Sequence, residues 1–274
     1  MSKSAILIAS DLSARSDRHT ERGIRVAEDL GCEPVIVHVL AGRLAGDDRE
    51  RALITRQLVC DFGPQAHDWK LVVGEGDVPK TVAGAADIRD SKLLVVGVAR
   101  FNHLMDFVLG TSVDYLVRQS SVPVLVVKQR AHNAYRRLAV ATDFSDCSVG
   151  ALKTALALFP EAQIDLIHTF HVSSGGFVNA ESVAAEMSVE AREGMEKFLV
   201  QAAPGEADKQ RIKPHVIEGS LEGVIGGWVS EDKCDLLVLG THGRSGLVHA
   251  AIGSMASRLL ETVPVDILMV RKGC

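Results

Sequence analysis

Residues Asp235–Ser254 read DLLVLGTHGRSGLVHAAIGS. The run Leu236, Leu237, Val238, Leu239 has the continuous apolar character of a strand buried on both faces, and it stops at Gly240. Gly243, Gly253 and Ser254 follow in the spacing Gly-x2-Gly-x9-Gly-Ser. Glycines beyond a strand end let backbone N–H groups approach a phosphate with no Cβ in the way. Ser254 opens a helical pattern, and a helix N-terminus offers free N–H donors and partial positive charge. The chemistry this points to is binding of nucleotide phosphates. The competing reading is that the glycines only serve the turns of a strand-to-helix loop.

The same organisation occurs twice along the chain. Leu7-Ile8-Ala9-Ser10-Asp11-Leu12-Ser13 is matched by Ala139-Val140-Ala141-Thr142-Asp143-Phe144-Ser145, each an apolar strand ending in Ser/Thr-Asp-apolar-Ser. Val35–Val39 and Ile164–Thr169 give second strands carrying His38 and His168. Leu71–Gly76 matches His215–Gly219, Leu93–Gly97 matches Leu236–Gly240, and Val124–Lys128 matches Ile267–Arg271. Helical patterns stand between them: Glu21–Leu30, Arg43–Cys60, Pro79–Asp90 and Thr111–Gln119, then Ser148–Leu158, Glu181–Gln201, Leu221–Cys234 and Ser254–Thr262. Ser145 suits the N-cap of one helix and Pro79 the first turn of another. Alternation of buried strands with helices predicts an α/β chain of two tandem, doubly wound, parallel five-stranded sheets. Residues 1–130 form the first domain and 137–274 the second, joined by the polar stretch QRAHNAYRR at 129–137. Ligands of such folds sit beyond the carboxyl ends of the strands, where Asp11, Asp143, His38, His168, Gly97 and Gly240 fall.

Composition narrows the classes. A chain of 274 residues accommodates two ordinary domains. A net charge of −5, with no basic stripe interleaved with aromatics, argues against a general nucleic-acid binder. The N-terminal apolar run is short and broken by Asp11, unlike a signal peptide, and no stretch has the length of a membrane span. Five scattered cysteines without metal-ligand spacing read as reduced thiols in the cytoplasm, mostly packing, with Cys147 and Cys274 the two candidates for exposure. The histidines form no HxH or HExxH cluster. A Gly-x4-Gly-Lys-Ser/Thr loop and a Gly-x-Gly-x2-Gly turn after the first strand are both absent, and so is a Ser-Gly-Gly-x-Asp-Ser loop.

Two copies of strand-Asp, strand-His and a glycine-loop region resemble the universal stress protein family in its tandem form, along essentially the whole chain. The resemblance implies parallel sheets of the adenine-nucleotide-binding α/β type, with ATP, and Mg²⁺ as its companion ion, across the strand ends. By position, Asp143 implies a partner for the ribose hydroxyls, with Thr142 beside it. Thr169 stands where the backbone reads adenine. Gly240, Gly243, Gly253 and Ser254 imply the phosphate cradle, and Met255 adds a further backbone N–H. His242 and Arg244 lie within the loop as candidate phosphate contacts, while His168 reads as a packed strand-end histidine. The resemblance also implies pairing of last strands, here Val122–Lys128 with Val265–Arg271 as an intrachain pseudo-dimer, and a homodimer of chains. The functional expectation is a cytoplasmic ATP-binding stress protein, a nucleotide sensor or store acting through unknown protein partners. The alternatives are a slow ATPase or phosphotransferase, with His242 the sole candidate general base, and a nucleotide-free interaction module.

The first copy departs from this pattern. Asp11, Gly97, Gly110 and Thr111 keep their places, but Arg100 replaces the second glycine in Gly97-Val98-Ala99-Arg100-Phe101-Asn102-His103. Arginine there closes a phosphate site, takes the phosphate position with its own charge, or holds another anion. The first domain is expected not to hold ATP well.

Overall fold

The computed structural model describes residues 4–40, 48–88, 90–98, 100–103, 106–108, 111–172, 180–242 and 252–273. The chain divides into two compact units, Met1–Ala134 and Tyr135–Gly273. The first contains β1 (Ala5–Ala9), α1 (Asp17–Asp29), β2 (Glu33–Leu40), α2 (Asp48–Phe62), a 3-10 turn (Pro64–Asp68), β3 (Lys70–Glu75), α3 (Val78–Ile88), β4 (Ser91–Gly97), β5 (Arg100–His103), β6 (Asp106–Val108), α4 (Thr111–Gln119) and β7 (Val124–Val127). The second contains β8 (Arg137–Ala141), α5 (Asp146–Leu158), β9 (Gln163–Phe170), α6 (Ala180–Ala202), α7 (Glu206–Lys209), β10 (Ile212–Glu218), α8 (Leu221–Ser230), β11 (Leu236–Gly240), α9 (Ser254–Thr262) and β12 (Asp266–Val270).

Apart from the β5–β6 hairpin, every strand pairing described within either unit is parallel. The spatial order is β7-β4-β1-β2-β3 in the first unit and β10-β9-β8-β11-β12 in the second. Each unit thus starts its winding at a central strand and reverses direction once. That reversal falls between β1 and β4, and between β8 and β11. It opens a crevice at the carboxyl ends of those strands, the place where doubly wound folds bind ligands. The cause is compositional: Leu93, Leu94, Val95, Leu236, Leu237 and Val238 are fully buried, so helices must cover both faces of each strand.

Local signals account for several helix starts. The Ser145 hydroxyl accepts from the Ser148 amide and starts α5, and Ser220 caps α8 in the same way through Gly223. Pro79 occupies the first turn of α3. Helix α1 begins at Asp17, a turn earlier than the apolar spacing predicts, and α2 is described from Asp48; residues 43–47 of the predicted helix lie outside the described residues. The antiparallel pairing of Arg100 with Val108 and Phe101 with Phe107 was not legible in the sequence. Neither was the 3-10 turn nor the one-turn α7. Cys147, a candidate for exposure, follows the Asp143 loop, but its helix turns it inward and it is buried.

The stretch after β7 has no regular structure, yet it is tied down. Arg18 of α1 donates to the Lys128 carbonyl at 2.7 Å. Arg22, almost fully buried, donates to the carbonyls of Asn133 at 2.6 Å and Arg130 at 3.1 Å. Charge-assisted bonds of this kind contribute about 1.5–3 kcal/mol each. Arg22→Leu is therefore expected to free residues 128–134, and limited trypsin digestion should then cut at Arg130 much faster than in the wild type. Unchanged cleavage would mean that the arginine clasp does not hold this stretch.

Candidate functional site

Strands β1 and β8 end in the same turn. The residue after each aspartate has a left-handed backbone, Leu12 at φ 59° and Phe144 at φ 64°. This conformation costs a non-glycine residue roughly 1–2 kcal/mol, and side-chain bonds offset it. The hydroxyl before the aspartate accepts the amide two residues on: Leu12 N–H to Ser10 at 3.1 Å, Phe144 N–H to Thr142 at 3.0 Å. The aspartate Oδ1 accepts the amide after the turn: Ser13 at 3.0 Å, Ser145 at 3.1 Å. Asp143 Oδ1 also accepts from the Ser148 hydroxyl at 3.0 Å. The ring of His168 contacts the Thr142 carbonyl through Nδ1 at 2.8 Å and stacks on Phe144 at 4.1 Å, as His38 contacts Ser10 at 2.9 Å. Gly194 of α6 leaves room for the Phe144 ring, which would lie 2.7 Å from a Cβ there.

These bonds decide which groups remain for a ligand. The Thr142 hydroxyl is buried and engaged with Phe144 and Ser148. Thr169, half-buried, lies on β9 in register with Ile217, past the last β8 pairing at Ala141–Ile167. On the β11 side, Gly240 leads to Thr241 and His242, and the chain returns through Gly253, the N-cap of α9, with Ser254 and Met255 exposed in its first turn. The Gly253 amide donates to the Thr241 carbonyl at 2.9 Å, closing the two ends of the loop together. Gly243 and Arg244 lie outside the described residues, as does Gly110 of the first unit, and the side chain of Arg100 is likewise not described.

The two described glycines of the second-unit loop exist for different reasons. A Cβ on Gly240 would lie 3.0 Å from Cys147 Sγ and 3.2 Å from its carbonyl carbon, so close packing of α5 on β11 requires that glycine. Gly253 has an ordinary φ of −55°, and a Cβ there would meet only the Thr241 carbonyl at 3.5 Å. Neither its turn nor its packing within the described residues demands a glycine.

In the first unit, Gly97 packs instead against His19, whose Nδ1 would lie 2.3 Å from a Cβ. His19 Nε2 meets the Ala9 carbonyl at 2.8 Å. Counting from Asp11 and Asp143, the second unit has Ala151 at this position. Nothing in the local sequence pattern marks His19 as a strand-end residue. Burial pushes its pKa down, against the Ala9 hydrogen bond and the charge of Asp11. For Asp11, burial opposes ionisation, but hydrogen bonds from Ser13 and Ser16, with the charge of His19, together outweigh it and hold the carboxyl below the usual range.

Two tandem units of the doubly wound parallel α/β class, each with a polar turn at its switch point, are what the fold defines. Residues 4–128 and 134–271 each match the Universal stress protein family, and the chain belongs to that family in a tandem two-domain arrangement. A universal stress protein of Methanocaldococcus jannaschii is 27% identical over 150 residues, 53% of this chain and 86% of that protein. The crystal structure of a universal stress protein from Archaeoglobus fulgidus aligns with a TM-score of 0.66 at 18% identity, covering 98% of both chains. A functionally unknown protein of Pseudomonas aeruginosa aligns with a TM-score of 0.68 at 17% identity, covering 99% of this chain and 93% of its own. At these identities the structural likeness shows the fold.

His19 gives the first unit a pH signature. Its folded pKa lies below its unfolded value, so the unfolded chain binds more protons as the pH falls. Stability is full above the unfolded histidine value of 6.5 and is lost as the pH drops from there toward the folded pKa. Urea denaturation across this range should show the decline in the wild type and a flatter profile in His19→Ala, which copies Ala151. Equal slopes would assign the decline to other groups.

Proposed function

We propose that the second unit binds an adenine nucleotide, ATP with Mg²⁺, at the carboxyl ends of β8 and β11. The chain would then serve as a cytoplasmic nucleotide sensor or store in a stress response. Gly253 carries this reading. It stands at the N-cap of a helix with a normal φ, and among the described residues a Cβ there would meet only the Thr241 carbonyl, at an ordinary contact distance of 3.5 Å. A ligand pressed against the backbone at that point explains a glycine that local structure does not. Backbone N–H donors of Ser254 and Met255 in the first turn of α9 suit a phosphate, and the helix dipole adds roughly 0.3–1 kcal/mol. Asp143, on the neighbouring strand end, offers carboxylate oxygens to ribose hydroxyls. Thr169 would contribute its backbone to adenine. Gly240, Gly243, His242 and Arg244 complete the proposed cradle, with Thr142 acting through the turn that holds Asp143.

The proposed domains are residues 1–130 and 137–274, with the nucleotide in the second. Pairing of Val122–Lys128 with Val265–Arg271 inside one chain, and of two chains as a homodimer, belongs to the same proposal. Arg100 in place of the second loop glycine leaves the first domain without bound ATP.

Mass spectrometry of small molecules released from protein purified without added nucleotide should find about one ATP per chain. Gly253→Ser keeps a favourable N-cap residue and adds a side chain at the backbone where the phosphate is proposed to lie. It should leave the thermal midpoint nearly unchanged while weakening ATP binding at least tenfold. Two nucleotides per chain would show that Arg100 leaves the first site open. ADP in place of ATP would favour slow hydrolysis. No nucleotide, together with no binding on titration, would overturn the proposal and leave an interaction module.

A further inference from the structure

Thr241 is 1% exposed and uses every polar atom it has. Its amide donates to the Val270 carbonyl at 2.9 Å, and its carbonyl accepts from Gly253 at 2.9 Å. Its hydroxyl lies 2.9 Å from His242 Nδ1. Among the described residues, the other neighbour of that hydroxyl is Cys147 Sγ at 4.0 Å, a poor acceptor whose own proton points to the Val270 carbonyl at 3.4 Å. With no better acceptor among the described residues, the hydroxyl proton is assigned to Nδ1, which leaves the ring proton on Nε2. Nε2 is buried and has no hydrogen-bond partner among the described residues. A buried donor left without an acceptor is a cost that a ligand oxygen removes.

We propose that Thr241 is a positioning residue for the nucleotide site: it fixes His242 as the Nε2–H tautomer, so that the ring donates to an anionic phosphate oxygen of the bound nucleotide. This rests on the functional reading above, and assigns within it which contact discriminates phosphate from nucleoside. The first repeat has Val98 and Ala99 at these two positions, so the device belongs to the second unit alone.

Calorimetric titration of the full chain with Mg–ATP and with adenosine tests the contact. Thr241→Val should weaken ATP roughly ten- to a hundredfold, leave adenosine within about twofold and be rescued by Thr241→Ser. His242→Phe should reproduce the valine result. Nitrogen-15 spectra of the wild-type imidazoles provide a readout that needs no nucleotide: His242 should show a protonated Nε2 and a bare Nδ1. A protonated Nδ1, or unchanged ATP affinity in Thr241→Val, overturns the proposal. Parallel loss of ATP and adenosine in Thr241→Val also overturns it, by making Thr241 a structural clasp only. The expected tautomer in a wild type that binds neither compound would sink the functional reading and remove this contact with it.

Discussion

The turn that ends each central strand is the constraint on which the rest depends. Parallel strands buried on both faces all finish at one edge, and the chain must leave that edge at once to start a helix. Here it does so through a left-handed residue, Leu12 or Phe144, held by a hydroxyl on one side and an aspartate on the other. The strain is local and the bonds that offset it are local, so the turn forms wherever Ser/Thr-Asp-apolar-Ser follows a buried strand. It leaves an aspartate at the switch point in both units. The same bonds direct the Phe144 ring onto His168 and into the gap left by Gly194, which ties the turn to α6.

On that shared frame the two units differ in what fills the strand end. The second packs Cys147 beneath Gly240 and pins its loop at Thr241 and Gly253. The first packs His19 beneath Gly97 and continues into an antiparallel hairpin. One duplicated fold thus carries two packing arrangements at the same topological position. The scaffold tolerates the divergence because core burial, not the loops, specifies the parallel strands of each unit. The strands keep their Val, Ile and Leu runs even where the loops have parted.

Strand existence and order of alternation were legible because each strand is an uninterrupted apolar run, and a run buried on both faces has no other reading in a chain with helical segments between. Helix starts were legible where a cap residue marks them, as at Ser145, and were misplaced where the signal was apolar spacing alone, as for α1. The β5–β6 hairpin was hidden because Arg100, Phe101, Asn102 and His103 show no alternation of apolar and polar residues. Asp143, Gly240 and Gly253 were legible as strand-end and loop residues from the repeat. His19 was not, since its burial depends on the packing of α1 over β4, which no local pattern encodes. Whether Cys147 is exposed was open for the same reason: it follows a loop, and only the course of α5 turns its side chain under Gly240.

Spacing alone also treated all the glycines of the motif as equivalent, and physically they are not. Gly240 answers to the protein: any side chain there collides with α5, whatever the loop binds. Gly253 answers to nothing described in the protein, having an ordinary φ and room for a Cβ. Gly97 belongs with Gly240, because His19 occupies the space above it. Survival of Gly97 in the first unit is therefore a fact about packing and says little about a ligand. A motif of this kind joins two requirements, closeness of helix to strand and closeness of ligand to backbone. Only the second distinguishes a binding site from its fold, and Gly240 and Gly97 answer to the first.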